Sequence, residues 1–222
     1  MHLFVATPAY NEQLTTTYFR SFFALFHKFA QRGGTLTHRF REGSLIPLVR
    51  NELVADFLET NATHLLFWDA DIGVAPEPIF DLLDFQKPVS GIACPLRQYD
   101  DQRKLSAFNF SLGNEYGPEW QPKHSGPFMR VPQLGTGLML IERSVFPTML
   151  KAIPEIRCTI RDREAASYFD TSIHPLTNDY RGEDYTFCDR WVVNCGGEVW
   201  CHVQAQVTHS GFHHFTGACK QG

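Results

Sequence analysis

The sequence predicts an α/β fold with a mixed, mainly parallel central sheet and helices on both faces. Apolar runs of strand length alternate with longer segments of helical periodicity over the first 95 residues. This alternation favours parallel pairing, because a crossover helix returns the chain to the same edge of the sheet. The chain has 222 residues, of which 43% are hydrophobic, so it can form one domain with a full core.

The chain begins with a predicted strand and a predicted helix. Leu3–Thr7 is a short apolar run that ends at Pro8, which indicates a central strand. Thr15–Arg32 has helical periodicity, and Gly33-Gly34 ends the helix. The phenylalanines of this helix share one face, and we expect them to pack in the core: Phe19, Phe22, Phe23, Phe26 and Phe29.

Two helices and two strands follow in the first half. The next helix has Pro47 in its first turn, where proline is well tolerated. The apolar run His64–Trp68 predicts a buried strand, and Pro76–Leu83 predicts a short helix. Pro88–Cys94 predicts another buried strand. These elements complete the strand–helix alternation that favours a parallel sheet.

The second half of the chain is less regular. Residues 97–130 are rich in Gly, Pro, Asn, Gln and charge, which favours loops that face an acceptor, with one strand at Leu105–Leu112. Gly137–Ile141 predicts a further strand. Glu183–Val193 predicts a helix, and Glu198–Val203 predicts a late strand.

Composition excludes several classes of protein. The formal net charge of −4 argues against a nucleic-acid surface, which is normally basic. The sequence has neither a signal peptide at its start nor an apolar run of about 18 residues, so we expect no transmembrane segment. Its six cysteines form no CxxC pair, which favours reduced thiols and a cytoplasmic location.

Two carboxylates end the strand that runs through Trp68. Asp69 and Asp71 are separated only by Ala70, and unpaired charges at the end of a core strand are unfavourable unless something binds them. Ligands of open α/β sheets bind beyond the carboxyl ends of the strands, and oxygen ligands suit Mg²⁺ or Mn²⁺. The alternative interpretation is an ordinary turn or helix cap, where Asp is common.

Other candidate residues fall at comparable places. Thr7, Pro8, Tyr10 and Glu12 end the first strand and offer groups that would hold a base and a ribose, although a plain polar loop has the same composition. Arg50 would clamp a phosphate, and a surface arginine is an equally ordinary interpretation.

Three later motifs add groups that are suited to ligand binding or catalysis. Thr136-Gly137 precedes a strand, where glycine lets the backbone approach a ligand. Glu183 and Asp184 open a helix, where acids also serve as caps. His209 follows the last predicted strand, and a neutral imidazole would suit Mn²⁺, although a lone histidine is more often structural. His213 and His214 lie nearby in a polar tail.

In this order the motifs resemble the GT-A family of nucleotide-sugar glycosyltransferases. The resemblance rests on Thr7-Pro8-Ala9-Tyr10-Asn11-Glu12, on Asp69-Ala70-Asp71 as a DXD motif, on Gly135-Thr136-Gly137, on Gly182-Glu183-Asp184 and on His209. It covers most of the chain, which is similar to compact glycosyltransferases of large DNA viruses and bacteria. The resemblance implies a Rossmann-like GT-A domain over 1–222, with a nucleotide-binding half, 1–95, and an acceptor and donor-sugar half, 96–222.

The resemblance also implies a role for each candidate. Asp69, Asp71 and His209 would bind Mn²⁺ or Mg²⁺, and Glu183 or Asp184 would be the catalytic base. The partners would be a nucleotide-sugar donor, with UDP as the default base and GDP as an alternative, and a glycan or glycoconjugate acceptor. The donor would contact Thr7, Pro8, Tyr10, Glu12, Arg50, Asp69, Ala70, Asp71, Thr136 and Gly137.

Two other functions fit parts of the pattern. A phosphohydrolase of the haloacid dehalogenase type also uses an Asp-x-Asp metal site, but that motif ends the first strand, whereas here it follows an earlier strand and two helices. A non-catalytic nucleotide-sugar-binding module would need the donor residues without a base. The donor sugar and the acceptor cannot be read from these residues, nor can retention or inversion at the anomeric carbon.

Overall fold

The computed structural model describes residues 1–98, 107–113, 120–174, 177–211, 215–217 and 219. The strands of the first half are β1 (His2–Pro8), β2 (Thr35–Arg41), β3 (His64–Trp68), β4 (Ile72–Val74) and β5 (Val89–Ile92). The strands of the second half are β6 (Phe110–Ser111), β7 (His124–Ser125), β8 (Phe128–Val131), β9 (Gln133–Leu134), β10 (Leu138–Glu142), β11 (Arg157–Ile160), β12 (Arg163–Ala166), β13 (Ser172–Ile173), β14 (Tyr180–Arg181), β15 (Val199–His202), β16 (Val207–His209) and β17 (Phe215–Gly217).

Helices separate the strands of the first half, as the sequence predicts. The helices of the first half are α1 (Thr16–Gln31), α2 (Ile46–Leu58) and α3 (Pro76–Phe85). Those of the second half are α4 (Val145–Ala152) and α5 (Glu183–Asp189), which continues as a π-helical turn to Asn194. Helix α1 begins after Thr15, whose side chain accepts a hydrogen bond from the backbone N–H of Tyr18 at 3.1 Å. The predicted strands at Leu3, His64, Pro88, Gly137 and Glu198 are all present, with slightly different ends.

The central sheet has eight strands in the order β2-β1-β3-β10-β5-β15-β8-β7. Three pairings are parallel, namely β1 with β2, β1 with β3, and β5 with β15. The other four, β3–β10, β10–β5, β15–β8 and β8–β7, are antiparallel. The sheet is therefore mixed, and the prediction that it is mainly parallel is not met, because β10 enters between β3 and β5 in the opposite direction.

This arrangement brings several strand ends to one edge of the sheet. Strands β1, β3 and β5 point the same way, since β10 is antiparallel to both β3 and β5. Their carboxyl ends therefore meet the amino end of β10, next to Gly137. Ligands of open α/β sheets bind at such an edge.

Two apolar cores cover the two faces of the sheet. Successive side chains of β3 alternate between them, with Leu65 and Phe67 on one face and Leu66 and Trp68 on the other. Helices α2, α4 and α5 contribute to the first core, and helices α1 and α3 contribute to the second. The prediction of helices on both faces is confirmed.

The aromatic stripe of α1 departs from the prediction. Phe29 is buried and Phe22 is half-buried, whereas Phe19, Phe23 and Phe26 are 60%, 61% and 47% exposed. The helix has apolar residues on two faces, and the face that packs on the sheet also carries Tyr18 and Leu25. The prediction of core packing is therefore wrong for three of the five phenylalanines.

The remaining differences fall mainly in short strands. The edge strand β2 and the hairpin β11–β12 were not predicted. Within the predicted strand Leu105–Leu112, the described part forms only the short β6, and residues 105 and 106 lie outside the described residues. All six cysteines are free thiols. Among the described residues, no helix has the length and apolarity needed to cross a membrane.

Candidate active site

A cavity of about 510 Å³ opens at the edge where β1, β3 and β5 end. The turns after these strands supply Pro8, Asp69 and Arg97, and α2 supplies Arg50 from the adjoining face of the sheet. The full lining is Pro8, Tyr10, Gln13, Leu14, Thr15, Ile46, Arg50, Asp69, Ala70, Asp71, Arg97, Ser210 and Gly211. This volume is within the range of small-molecule sites, roughly 300–1,000 Å³.

The Asp69-Ala70-Asp71 turn is fixed through its backbone. The N–H of Asp69 donates to the carbonyl oxygen of Gly137 at 3.0 Å, and the N–H of Thr15 donates to that of Ala70 at 3.0 Å. The N–H of Ser210 donates to the carbonyl oxygen of Asp71 at 2.8 Å. Three different elements therefore set the direction of the two carboxylates, which is why side chains so close in sequence have different partners.

Asp69 belongs to a group that we call the inner cluster, formed by Arg50, Asp69, Glu183 and Asp184. Arg50 is only 5% exposed, and its guanidinium lies 3.2 Å from Asp69 Oδ1 and 3.1 Å from Glu183 Oε1. Burial lowers the pKa of Arg50, but the carboxylates of Asp69, Glu183 and Asp184 more than offset this effect and raise it above its ordinary value. The guanidinium therefore stays charged.

The carboxyl group of Asp184, also in the inner cluster, has a raised pKa. Burial and the nearby charge of Glu183 raise the pKa of Asp184 from 3.8 to about 6, although its Oδ1 accepts a hydrogen bond from the N–H of Tyr185 at 2.8 Å. Its side chain lines a second cavity of about 360 Å³. Leu96 also lines this second cavity, next to Arg97 of the first, so one short segment borders both cavities.

Asp71 belongs to a second group, the outer cluster, formed by Asp71, Arg97 and His209. The Nη2 of Arg97 donates to Asp71 Oδ2, and the Nε of Arg97 donates to His209 Nε2 at 3.0 Å. Asp71 Oδ2 and His209 Nε2 are themselves 3.4 Å apart. Strand β16 brings His209 here by pairing with β4, where His209 is opposite Ile72. Residues 213 and 214 lie outside the described residues.

The imidazole of His209 is held in one orientation. Its Nδ1 lies 2.8 Å from the carbonyl oxygen of Pro95, so Nδ1 carries the hydrogen and the lone pair of Nε2 accepts the hydrogen bond from Arg97. Burial lowers the pKa of His209, which favours the neutral ring. A backbone carbonyl that fixes the distal nitrogen is the usual support for a histidine metal ligand.

The geometry suits a divalent ion with two protein ligands better than one with three. Among the residues that the structure describes, no group of three or more His, Cys, Asp or Glu side chains is placed to hold a metal. Asp69 faces Arg50, whereas Asp71 and His209 face each other. Mg²⁺ and related ions are commonly held by one or two protein groups together with substrate phosphates, and this donor set fits that mode.

Four predicted donor residues do not line the first cavity. Thr7 is fully buried, and its hydroxyl lies 2.7 Å from the hydroxyl of Tyr18. Glu12 is exposed on the turn after β1. Thr136 is buried, and Gly137 contacts the site through the backbone hydrogen bond from Asp69. Pro8, Tyr10, Arg50, Asp69, Ala70 and Asp71 do line the cavity.

Two residues that sequence reasoning did not select also belong to the site. Arg97 follows β5 and so reaches the same edge as Asp69 and Asp71, a position that strand order indicates once β5 is recognised. Ser210 is buried, and its hydroxyl has no hydrogen-bond partner within the described part of the chain; the same holds for Nη1 of Arg50. Both residues line the first cavity.

Comparisons with known proteins bear on the fold. No protein-family model and no curated protein sequence matches the chain. The crystal structure of A197 from STIV is similar with a TM-score of 0.50 and 13% identity, over 95% of this chain and 86% of that chain. This likeness concerns the fold alone.

Two other solved structures are more distant. One is a glycosyltransferase involved in the glycosylation of the major capsid of PBCV-1, with a TM-score of 0.36 and 11% identity, over 65% of this chain and 62% of that chain. The other is 4-diphosphocytidyl-2C-methyl-D-erythritol synthase from Anaerococcus prevotii, with a TM-score of 0.38 and 8% identity, over 72% of this chain and 78% of that chain. At these TM-scores neither carries an argument about this chain.

Proposed function

We propose that this protein is a metal-dependent glycosyltransferase that moves a sugar from a nucleoside diphosphate donor to a hydroxyl group of a glycan or glycoconjugate. The observation that carries the proposal is the outer cluster at the strand edge, where a carboxylate and an oriented neutral imidazole lie 3.4 Å apart beside a cavity. The motifs that carry the sequence resemblance to GT-A enzymes include these two residues, Asp71 and His209.

The first cavity has the groups that a nucleoside diphosphate requires. Tyr10 is 62% exposed and offers an aromatic face to a base, with UDP as the default nucleotide. Arg50 and Ser210 line this cavity and supply a guanidinium and a hydroxyl, the kinds of group that bind a phosphate or a ribose. Arg97 adds a second positive charge.

Asp71 and His209 would hold the divalent ion, Mn²⁺ or Mg²⁺. When bound, the ion would offset the negative charge that develops on the departing diphosphate. The Pro95 carbonyl keeps His209 Nε2 directed at the site, and the backbone bond from Ser210 fixes Asp71. Asp69, paired with Arg50, would act on the ribose or orient the guanidinium.

The catalytic base in this proposal is Asp184 rather than Glu183. Glu183 is held by Arg50 at 3.1 Å, whereas Asp184 faces the second cavity and has its pKa raised to about 6. A base with a pKa close to the working pH removes the proton of an acceptor hydroxyl more effectively than an ordinary carboxylate. The second cavity would then receive the acceptor.

The test is a binding screen followed by a transfer assay. The full chain is heated with UDP-, GDP- and dTDP-sugars, each with and without Mn²⁺, and the unfolding midpoint is recorded, since a ligand that binds only the folded state raises it. We expect one nucleotide class to raise the midpoint only when Mn²⁺ is present. Sugar transfer to panels of glycan acceptors is then followed by mass spectrometry.

Three outcomes would contradict the proposal in different ways. No midpoint shift with any nucleotide at millimolar concentration would remove the donor site. Hydrolysis of simple phosphate monoesters would favour the phosphohydrolase alternative. Metal-dependent nucleotide binding without transfer, or hydrolysis of the donor, across the acceptor panels would favour a non-catalytic binding module.

A further inference from the structure

Arg97 occupies the position in the outer cluster that a cation would take. Its guanidinium donates one hydrogen bond to Asp71 Oδ2 and another to His209 Nε2. These are the two atoms that would coordinate the proposed ion. A lone pair on Nε2 serves either a hydrogen-bond donor or a metal, so the guanidinium and the ion exclude each other at this atom.

The setting of Arg97 allows it to leave. Its side chain is 44% exposed, and that of Asp71 is 30% exposed, so separating the two places no charge in an apolar interior. Arg50 is different, because it is buried and bound to Asp69 and Glu183. Its guanidinium also lies over the ring of Phe67, 5.2 Å from the ring centre. Of the two arginines that line the first cavity, Arg97 is the exchangeable one.

We infer that Arg97 is a tethered cation that occupies Asp71 and His209 in the metal-free protein, and that entry of the divalent ion transfers its guanidinium to the diphosphate of the donor. The inference rests on the proposed function and specifies the regulation of its site. A guanidinium released inside this cavity lies beside the space for the diphosphate, and planar N–H pairs match phosphate oxygens.

Charge balance supports this exchange. In the metal-free protein the Arg97 guanidinium neutralises the Asp71 carboxylate. With the ion bound, the ion and the freed guanidinium together offset that carboxylate and the two negative charges of a nucleoside diphosphate sugar. The outer cluster with its ligands is therefore neutral both before and after the donor enters, which limits the electrostatic penalty of either state.

The experiment measures two affinities of the full chain. Free Mn²⁺ is followed by electron paramagnetic resonance without nucleotide, and UDP binding is followed by calorimetry at saturating Mn²⁺. In Arg97→Gln we expect Mn²⁺ to bind about tenfold more tightly and UDP about tenfold more weakly, because one charged competitor and one charged phosphate partner are lost. Arg97→Lys keeps the charge but loses the planar pair of N–H groups. Its Mn²⁺ and UDP affinities should fall between those of the wild type and those of Arg97→Gln.

The two affinities of Arg97→Gln are expected to change in opposite directions, whereas loss of a purely structural residue would not strengthen Mn²⁺ binding. Arg20→Gln is the matched control, since Arg20 is an exposed arginine on α1, and it should change neither affinity. Mn²⁺ affinity that is unchanged or lower in Arg97→Gln would overturn the inference, and so would unchanged UDP affinity. Failure of the wild-type protein to bind any nucleotide of the UDP, GDP and dTDP screen would instead reject the glycosyltransferase proposal, and the Mn²⁺ titration would still decide whether Arg97 competes for the site.

Discussion

The inner and outer clusters use the same chemistry in opposite settings. Each joins an arginine to one carboxylate of the Asp69-Ala70-Asp71 turn. Arg50 in the inner cluster is 5% exposed and bonded to two carboxylates from different parts of the chain, whereas Arg97 in the outer cluster is 44% exposed. A buried ion pair is fixed because its partners have no alternative, and an exposed pair exchanges readily with solvent and ions.

The difference explains how two acids so close together acquire separate tasks. In the proposed function, Asp69 would orient the Arg50 guanidinium, while Asp71 would bind the metal ion. The distinction also predicts that variants of the inner cluster change stability, and that variants of the outer cluster change binding. Each experiment below tests one side of that distinction.

The largest expected effect is on turnover. In Asp184→Asn the proposed base is lost, and we expect transfer to fall by roughly 10²- to 10⁴-fold while donor affinity is retained. Glu183→Gln should act mainly through Arg50, and so lower stability as well as rate. Steady-state rates and UDP binding are measured for both variants. Full activity in Asp184→Asn would remove this residue from the mechanism.

The next effect is on folding. Arg50→Met leaves Asp69 and Glu183 without their shared counter-charge, and we expect a loss of about 3 kcal/mol in the free energy of unfolding. Arg97→Gln should change it by less than about 1 kcal/mol because its pair is exposed. Urea denaturation gives both values. Equal losses in the two variants would show that the clusters do not differ as proposed.

The third effect is on metal binding. Asp71→Asn removes one of the two proposed protein ligands, and we expect Mn²⁺ affinity to fall by about 100-fold or more with little change in stability. Asp69→Asn should weaken Mn²⁺ binding much less and lower stability more, since Asp69 is paired with Arg50. Titration of Mn²⁺ against both variants decides this. The reverse ranking would assign the metal to Asp69.

The smallest effect concerns pH. The folded-state pKa of Asp184, about 6, lies above its ordinary 3.8, so the folded protein holds this proton more tightly than the unfolded chain. The stability that this group contributes is present at low pH and is lost as pH rises from about 4 to about 6. Relative to the wild type, Asp184→Asn should therefore be about 2 kcal/mol more stable above pH 7 than at pH 4. A pH-independent difference in unfolding free energy would contradict the raised pKa.

Local patterns predicted most of the first half of the fold. The strand before Asp69 is a continuous apolar run because both of its faces are buried, and such a run is easily recognised. Strand β2 was missed because it lies at the sheet edge, where its residues are half-buried or exposed and most of them are polar. The direction of β10 could not be predicted, since pairing direction depends on contacts far apart in sequence.

The candidate site was predictable in part for the same reason. Asp69 and Asp71 follow a recognisable strand, and His209 was selected because it follows the last predicted strand and its imidazole would suit Mn²⁺. The partner of each carboxylate was not predictable, because the backbone of this turn is fixed by hydrogen bonds with Thr15, Gly137 and Ser210, which are distant in sequence. Arg97 was not selected because it belongs to no recognisable sequence motif.

The antiparallel strand at the centre of the sheet has a consequence for folding during synthesis. Strand β10, residues 138–142, separates β3 from β5, so the middle of the sheet cannot close until the ribosome has made about two thirds of the chain. A chain that ended at residue 95 would leave facing edges of β3 and β5 unpaired and open to other strands. Pairings between strands so far apart in sequence form slowly, so we expect the pairing of β10 with β3 to be a late step in folding.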